Sequence, residues 1–484
     1  MRFIKSFLLY TLLFFAPWVL LYRTGINPMP IQSEDTLPSI FTAVAISKER
    51  TLYLDSYYDM LVDSYPQPDD KQQELGLTPF YLKKALDNQS GQTHYLSAFP
   101  ITPAITALPV FMPPLLLGMP VSWHNLYVLS HLSSALTMAA AGVVFLYLIE
   151  RYYLPGMRKK AVFLTFIYLF CTINFAVVSQ AMWQFGTLQL FSLLALLFFN
   201  RALEIEAPNL SAKGASSYFF NIFMSGMFFG LAFITRPTAV LPWFVLLIVI
   251  YFSKYKNLGM LLGSMFTFVF GLFPALGFLI FYTGKFYRSF ANQGYVEQID
   301  VGWKSQVVNG FFGLWVSPSK GILVYSPVFL FIFVSIFFLV RKIKNRNFSG
   351  MDYQYVAFIS IVFMHTIVLG KWKHWYGGWS FGYRMASDVM PYMVLALIPF
   401  LTSTAKEKFR KPFYLLVCVS FAVQLMGLVF FDGIWHAAYD KGYSDTSWLW
   451  SIRDSEAAFN IRRMLVKIGY LERACEVCEP SVFE

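Results

Sequence analysis

Charge is scarce in this chain. Of 484 residues only 13% are Asp, Glu, Lys or Arg, against the ~25% of an average soluble domain. A water-facing surface of ordinary size needs more, which argues against a soluble globular protein. The same balance excludes a disordered chain, a coiled coil and a nucleic-acid-binding tail, so no nucleic acid is expected as a partner. Cysteine is scarcer still, and four residues make no disulfide framework. Cys171 and Cys418 lie inside apolar runs as small core residues. Cys475 and Cys478 form a lone C-x-x-C without the further ligands a zinc site needs; it reads as a local disulfide or two thiols, or else as a redox pair. Acids are outnumbered by bases, 27 to 38, for a net charge of +11. No P-loop, no G-x-G-x-x-G after a strand and no ATP-binding domain are found, so ATP is not indicated as an energy source.

Apolar side chains are abundant: 57% of residues are hydrophobic, 19% aromatic and 52 are Phe, with a mean hydropathy of +0.53. Arg2 and Lys5 precede an apolar run from Ser6 to Tyr22, followed by Leu21-Tyr22-Arg23-Thr24 rather than a small-residue cleavage site. That pattern predicts an uncleaved signal anchor with a cytoplasmic N-terminus. Further runs near 125–149, 161–179, 183–200, 217–234, 237–253, 259–282, 321–340, 353–370, 385–402 and 412–431 are long enough, or nearly so, to cross ~30 Å of hydrocarbon. The expectation is an all-α polytopic membrane protein of about eleven transmembrane helices, placed in the plasma (inner) membrane, with the lipid bilayer as its first partner. The stretch 99–120 is apolar but holds six prolines, which remove helical hydrogen bonds and argue for an interfacial or re-entrant segment.

Charge tests that count. Eleven spans place 1–5, 150–160, 201–216, 254–258, 341–352 and 403–411 inside, where 18 of the 38 basic residues fall; the far longer outside segments share the rest. The density difference follows the positive-inside rule. Treating 99–120 as a twelfth span would move Arg158-Lys159-Lys160 and the 341–346 cluster outside. The expected organisation is therefore a transmembrane module over 1–431, with a long extracytoplasmic first loop (23–124), and an extracytoplasmic tail over 432–484. Chemistry is expected on the outer face.

Ser33-Glu34-Asp35-Thr36-Leu37-Pro38 follows the anchor, in a loop that carries ten acids and five bases between Thr24 and Phe99. Two adjacent carboxylates beside the membrane suit a general base that takes the proton of a hydroxyl as it attacks. The other reading is that Ser33, Glu34 or Asp35 caps the helix that follows. Trp183-Gln184-Phe185-Gly186 forms a tight turn, and Arg236-Pro237 opens a span. Arg236 either snorkels to headgroups or binds an anion. The segment 371–384 holds three Trp, two Tyr, three Gly, one His and three bases. An aromatic belt accounts for the rings, but not for glycines that let a backbone turn sharply. Its aromatic faces suit sugars, and Lys371, Lys373 and Arg384 suit a phosphate. His131 and His365 lie within spans and read as hydrogen-bonded packing. The tail residues Asp432, Trp435, His436 and Trp448 either contact an acceptor or cover the outer face.

Taken in order, the anchor, the acidic pair, the Pro-rich stretch, Trp183-Gln184-Phe185-Gly186, Arg236-Pro237, Val324-Tyr325-Ser326-Pro327 and the Trp375-to-Arg384 pattern W-x-G-G-W-S-x-G-x-R resemble the GT-C superfamily of integral-membrane glycosyltransferases. The likeness is closest to its bacterial protein-mannosyltransferase and aminoarabinose-transferase-like branch, and it runs from residue 1 to about 430. It implies a polyprenyl-phosphate-linked sugar donor and transfer to a hydroxyl of a lipid, glycan or protein acceptor. It implies Asp35 as catalytic carboxylate with Glu34 beside it. Donor phosphate would fall to Arg236, Lys373 and Arg384, because the Lys that relatives often carry in the Pro-rich stretch is missing from His94-Tyr95-Leu96-Ser97-Ala98-Phe99-Pro100. Sugar or acceptor contacts would fall to Trp183, Gln184, His374, Trp375, Tyr376 and Trp379. Some members use a divalent cation, but no acidic cluster here marks a metal site. The competing expectation is a polytopic transporter or lipid flippase, against which stand the missing internal repeat and the concentration of ionisable residues in loops. A non-catalytic envelope scaffold is the third.

Overall fold

The computed structural model describes residues 2–27, 29, 31, 33–64, 82–86, 91–205, 212–254, 257–287 and 302–471. Cys475 and Cys478 lie outside them. Among the described residues eight helices are long and apolar enough to cross a membrane: Arg2–Thr24, Trp123–Tyr153, Gln184–Glu204, Gly214–Thr235, Leu258–Phe286, Gly350–Gly370, Arg384–Thr402 and Arg410–Phe430. Several carry large apolar side chains in the open, such as Phe266 (71% exposed), Phe281 (63%) and Leu415 (62%). In water such faces would aggregate; on membrane-length helices they are the surface a bilayer covers. The chain is an all-α polytopic membrane protein.

Three expected spans differ from their apolar runs. The run 161–179 is a bent pair, Arg158–Phe170 and Ile173–Gln180, meeting at 51°. At the break Thr172 turns its hydroxyl back to the Tyr168 carbonyl (2.7 Å), and Asn174 Nδ2 donates to that same oxygen (3.0 Å). Side chains that compete for helical carbonyls in this way bend helices. The run 321–340 breaks at Ser326-Pro327, where proline has no N–H to donate, into Ile322–Tyr325, Pro327–Leu330 and Phe331–Lys344. The run 237–253 yields the shorter helix Pro237–Tyr251. The Pro-rich stretch is helical over Thr102–Leu116 despite Pro109, Pro113 and Pro114 inside it; fifteen residues rise only about 22 Å, short of a span.

The chain divides into two compact units: Met1–Thr11, Ser33–Tyr152 and Ala181–Trp303 in one, and Leu12–Gln32, Tyr153–Gln180 and Lys304–Glu484 in the other. In the first, Ala212–Thr235 and Leu258–Tyr287 pack along their length. Gly226 and Gly271 allow this approach, since a Cβ on either would fall 2.1 or 2.3 Å from a carbonyl oxygen of the facing helix. Such small-residue contacts are how membrane helices gain dispersion energy without a hydrophobic drive between them. The loop after the anchor carries the short helix Leu37–Lys48 and an antiparallel hairpin, Leu82–Leu86 with Thr93–Ser97, in register Leu82↔Ser97. The hairpin is the one sheet among the described residues, an element the apolar runs do not signal.

The second unit is stitched at its helix breaks. Tyr383 Oη accepts the Ile173 N–H (3.1 Å) and bonds Ser326 Oγ (2.6 Å), which donates to the Cys171 carbonyl (2.8 Å). Gln424 Nε2 donates to the Tyr325 carbonyl (3.2 Å), and Ser420 Oγ accepts the Val328 N–H (3.2 Å). Backbone groups released by the breaks are thus satisfied by side chains, as a water-poor interior requires.

Candidate functional site

In the first unit the segment before Leu37–Lys48 forms a single 3-10 turn, Glu34–Thr36, capped by Ser33, whose Oγ accepts the Asp35 N–H (3.3 Å). The Ser33 hydroxyl supplies this cap, and Thr36, the residue preceding the longer helix, makes no side-chain cap bond. Glu34 is exposed and Asp35 half-buried. The Leu37–Lys48 helix packs on Thr102–Leu116, which packs in turn on the helices that carry the Trp183 turn and Arg236. Trp183 is the residue before Gln184–Glu204, and both Trp183 and Gln184 are buried. The Arg236 guanidinium lies 4.5 Å over the Phe185 ring. Phe185 thus holds a cation against the start of the helix Gln184–Glu204, an attraction of about 0.5–2 kcal/mol depending on desolvation. The expected tight turn over Trp183-Gln184-Phe185-Gly186 is instead the start of that helix, and the structure brings Arg236 to it.

The second unit contains the loop 371–384. Its rings divide sharply. Trp375 (0% exposed) and Tyr376 (1%) sit in a buried cluster with Leu314, Leu369, Trp435, Trp448 and Leu449, whereas Trp379 is 47% exposed. Gly313 makes room for Trp375, whose ring atoms come within 2.2 Å of where a Cβ would stand. His374 is half-buried, with Nδ1 at 3.1 Å from the Tyr376 hydroxyl. Lys373 is buried with its Nζ 4.0 Å over the Tyr443 ring. Gly377 and Gly378 take positive φ (+87°, +62°), and the Arg384 side chain runs along them, its Nε 3.6 Å from a Cβ built at Gly377. Arg384 is half-buried and opens the turn that leads into its span.

Beneath this loop lies a group of charges with no link in sequence. Glu456, at the start of Glu456–Lys467, and Lys320, in the turn before Ile322–Tyr325, are both fully buried and 3.1 Å apart. Glu456 Oε2 also accepts the Gly382 N–H (2.9 Å) and the Tyr325 hydroxyl (2.8 Å). Lys320 Nζ donates to the Ser380 carbonyl and to His436 Nε2 (2.9 Å); an ammonium only donates, so that ring nitrogen accepts. Burial pushes the Lys320 ammonium below its ordinary pKa, and the Glu456 charge resists. Burial likewise pushes the Glu456 carboxyl up, with Lys320 resisting. Each charge is tolerable there chiefly because the other is present. Gly382 is at φ +60°, and a Cβ on it would stand 2.9 Å from the Tyr325 ring.

A second buried polar pair lies at the loop's base, where His365 Nε2 and Asp388 Oδ2 are hydrogen-bonded at 3.0 Å and both side chains are almost wholly buried. His365 is thus hydrogen-bonded in the interior, and its partner is an acid. Among the described residues no three His, Cys, Asp or Glu side chains converge as a metal site requires.

Comparison with protein-family models, curated proteins and solved structures finds no match to this chain.

Sequence reasoning singles out the loop and Arg236 but misses Lys320, Glu456 and Asp388. Lys320 carries a faint signal, a charge abutting an apolar run. Asp388 carries another, an acid inside a run read as a span.

Proposed function

We propose that this protein is a membrane glycosyltransferase that moves a sugar from a polyprenyl-phosphate donor to a hydroxyl acceptor on the extracytoplasmic side. The observation that carries the reading is the loop 371–384, a backbone anchored on a buried ion pair that presents the exposed Trp379 ring and the Arg384 guanidinium laid along two glycines. A fixed ring and a fixed fork-shaped cation suit a sugar and a phosphate, and preorganisation of this kind lowers the cost of binding. Trp375, Tyr376 and Lys373 then act from within, shaping the loop, while Trp379 and His374 are the rings within reach of a ligand. Arg236 on Phe185 is a second candidate for the phosphate.

In the proposed step Asp35 takes the acceptor's hydroxyl proton, and the oxygen attacks the anomeric carbon. The bond from that carbon to the phosphate oxygen breaks, and polyprenyl phosphate leaves with the electron pair. Cations beside the phosphate stabilise the charge that develops there. Asp35→Asn, with the full chain in proteoliposomes and a polyprenyl-phosphate sugar, is expected to lose about 10²–10⁴ in transfer rate without change in thermal stability. Full activity removes Asp35 from the mechanism. Arg236→Ala is expected to raise the KM for donor more than for acceptor; an unchanged donor dependence returns Arg236 to headgroup contact.

One observation favours the transporter reading. His365 and Asp388 form a buried ionisable pair within membrane-length helices, where such groups mark transport paths. His365, however, lies five residues from the end of Gly350–Gly370, about 7.5 Å along its axis, close to the loop rather than at mid-membrane. Substrate-dependent proton movement in proteoliposomes that stops in Asp388→Asn would decide for transport.

A further inference from the structure

We propose that Lys320 and Glu456 are positioning residues through which the C-terminal segment holds the loop 377–384 in its ligand-binding shape, so that the tail is a working part of the loop. The inference rests on the reading of that loop as the phosphate-binding element.

Glu456 takes the Gly382 N–H (2.9 Å), and its partner Lys320 takes the Ser380 carbonyl. Trp379 donates to Asp440 Oδ2 (3.1 Å) and stacks on His436 at 6.0 Å between ring centres. Tyr443 lies under Lys373 at 4.0 Å and meets His374 edge-on at 5.2 Å. Trp448 packs edge-on against Tyr376 at 5.5 Å. The tail thus touches the loop at five residues between 373 and 382, and Lys320 adds Ser380. The buried pair fixes two backbone atoms of the loop, the Gly382 amide by Glu456 from the tail and the Ser380 carbonyl by Lys320. Arg384 is close enough to Lys320 to disfavour its charge, while Glu456 and, more weakly, Asp440 favour it. Without Glu456 the Gly382 amide loses its acceptor and Lys320 loses its bonded anion, in a place where low dielectric strengthens both effects.

The test uses the full chain in lipid nanodiscs and two readouts. The first is amide hydrogen exchange over 377–384, with the Gly350–Gly370 and Arg410–Phe430 helices as internal reference. The second is affinity for undecaprenyl phosphate. Glu456→Ala is expected to speed exchange over 377–384 at least tenfold while the two helices stay within twofold, and to weaken undecaprenyl phosphate binding at least tenfold. Glu456→Gln keeps an acceptor for Gly382 and Tyr325 but not the charge, and is expected to fall between wild type and Ala on both readouts. Lys320→Met provides the same comparison from the other side should Glu456→Ala fail to fold. Exchange over 377–384 unchanged in a folded variant overturns the inference. So does loosening that is equal throughout the protein, which marks a merely structural pair. If wild type does not bind undecaprenyl phosphate, the donor reading falls, and the exchange data alone decide whether the pair positions the loop.

Discussion

Gly382→Ala is the sharpest perturbation available, because the structure specifies two separate penalties and supplies a control for one of them. Gly382 sits at φ +60°, and a Cβ there would stand 2.9 Å from Tyr325 Cδ1 and 3.2 Å from Cε1. An alanine in the left-handed region costs about 1–2 kcal/mol. Tyr325 is fully buried and bonded to Glu456, so its ring cannot swing away, and forced overpacking adds about 1–3 kcal/mol. The sum is about 2–5 kcal/mol. Gly442 lies at φ +78° in the tail of the same unit, with nothing within 4 Å of a built Cβ. Gly442→Ala therefore carries the first penalty without the second, about 1–2 kcal/mol. Any gain from a stiffer unfolded chain is common to both substitutions and cancels. Denaturant unfolding in detergent micelles, followed by tryptophan fluorescence, measures the difference. Equal costs for the two substitutions would refute the claim that Gly382 is packed against a fixed Tyr325, and the picture of a rigid loop with it.

The buried and exposed tryptophans of the loop are expected to separate cleanly. Trp375→Ala should cost about 3–5 kcal/mol of unfolding free energy through the cavity it leaves, whereas Trp379→Ala should cost under about 1 kcal/mol and act on ligand affinity instead. Comparable destabilisation by both would contradict their burial. Tyr383→Phe removes the hydroxyl that serves the Ile173 amide and Ser326 at once. Leaving a buried donor unpaired is expected to cost about 1–3 kcal/mol, measured in the same unfolding assay, and a neutral result would show that the helix break does not depend on the loop.

What was legible in the sequence follows from how far apart the responsible residues lie. Spans such as Arg410–Phe430 and Gly350–Gly370 are readable because length and apolarity are properties of one continuous run. The breaks are not, because what makes them tolerable comes from elsewhere: the amide freed at Ile173 is met by Tyr383, and the Tyr325 carbonyl and Val328 amide that flank Ser326-Pro327 are met by Gln424 and Ser420. The hairpin is short and lies in a polar loop, so no run marks it. At the candidate site the glycines and rings of 371–384 stand out by composition, and three positive φ values account for Gly377, Gly378 and Gly382. Which rings face inward does not stand out, since Trp375 and Trp379 are alike in sequence. Lys320 and Glu456 are separated by more than a hundred residues, and no local pattern pairs them.

The pair itself calls for a reason, because a wholly buried ion pair is weak support for stability and apolar residues of equal volume often serve as well. Apolar residues, however, offer nothing to a backbone. The loop from Gly377 to Gly382 turns through left-handed glycines and forms neither helix nor strand, so beyond local bonds such as Ser380 N–H to the Gly378 carbonyl (2.9 Å) its buried amides and carbonyls must find partners elsewhere. At Ser380 the need is for a donor, and at Gly382, two residues on, for an acceptor. Lys320 and Glu456 meet both needs, and their mutual attraction keeps the two partners at fixed spacing. An apolar residue in place of either would leave one of these groups unsatisfied at a cost of about 1–3 kcal/mol. A donor and an acceptor of opposite charge, brought from different parts of the chain, determine where this irregular backbone lies, and with it where Trp379 and Arg384 stand on either side.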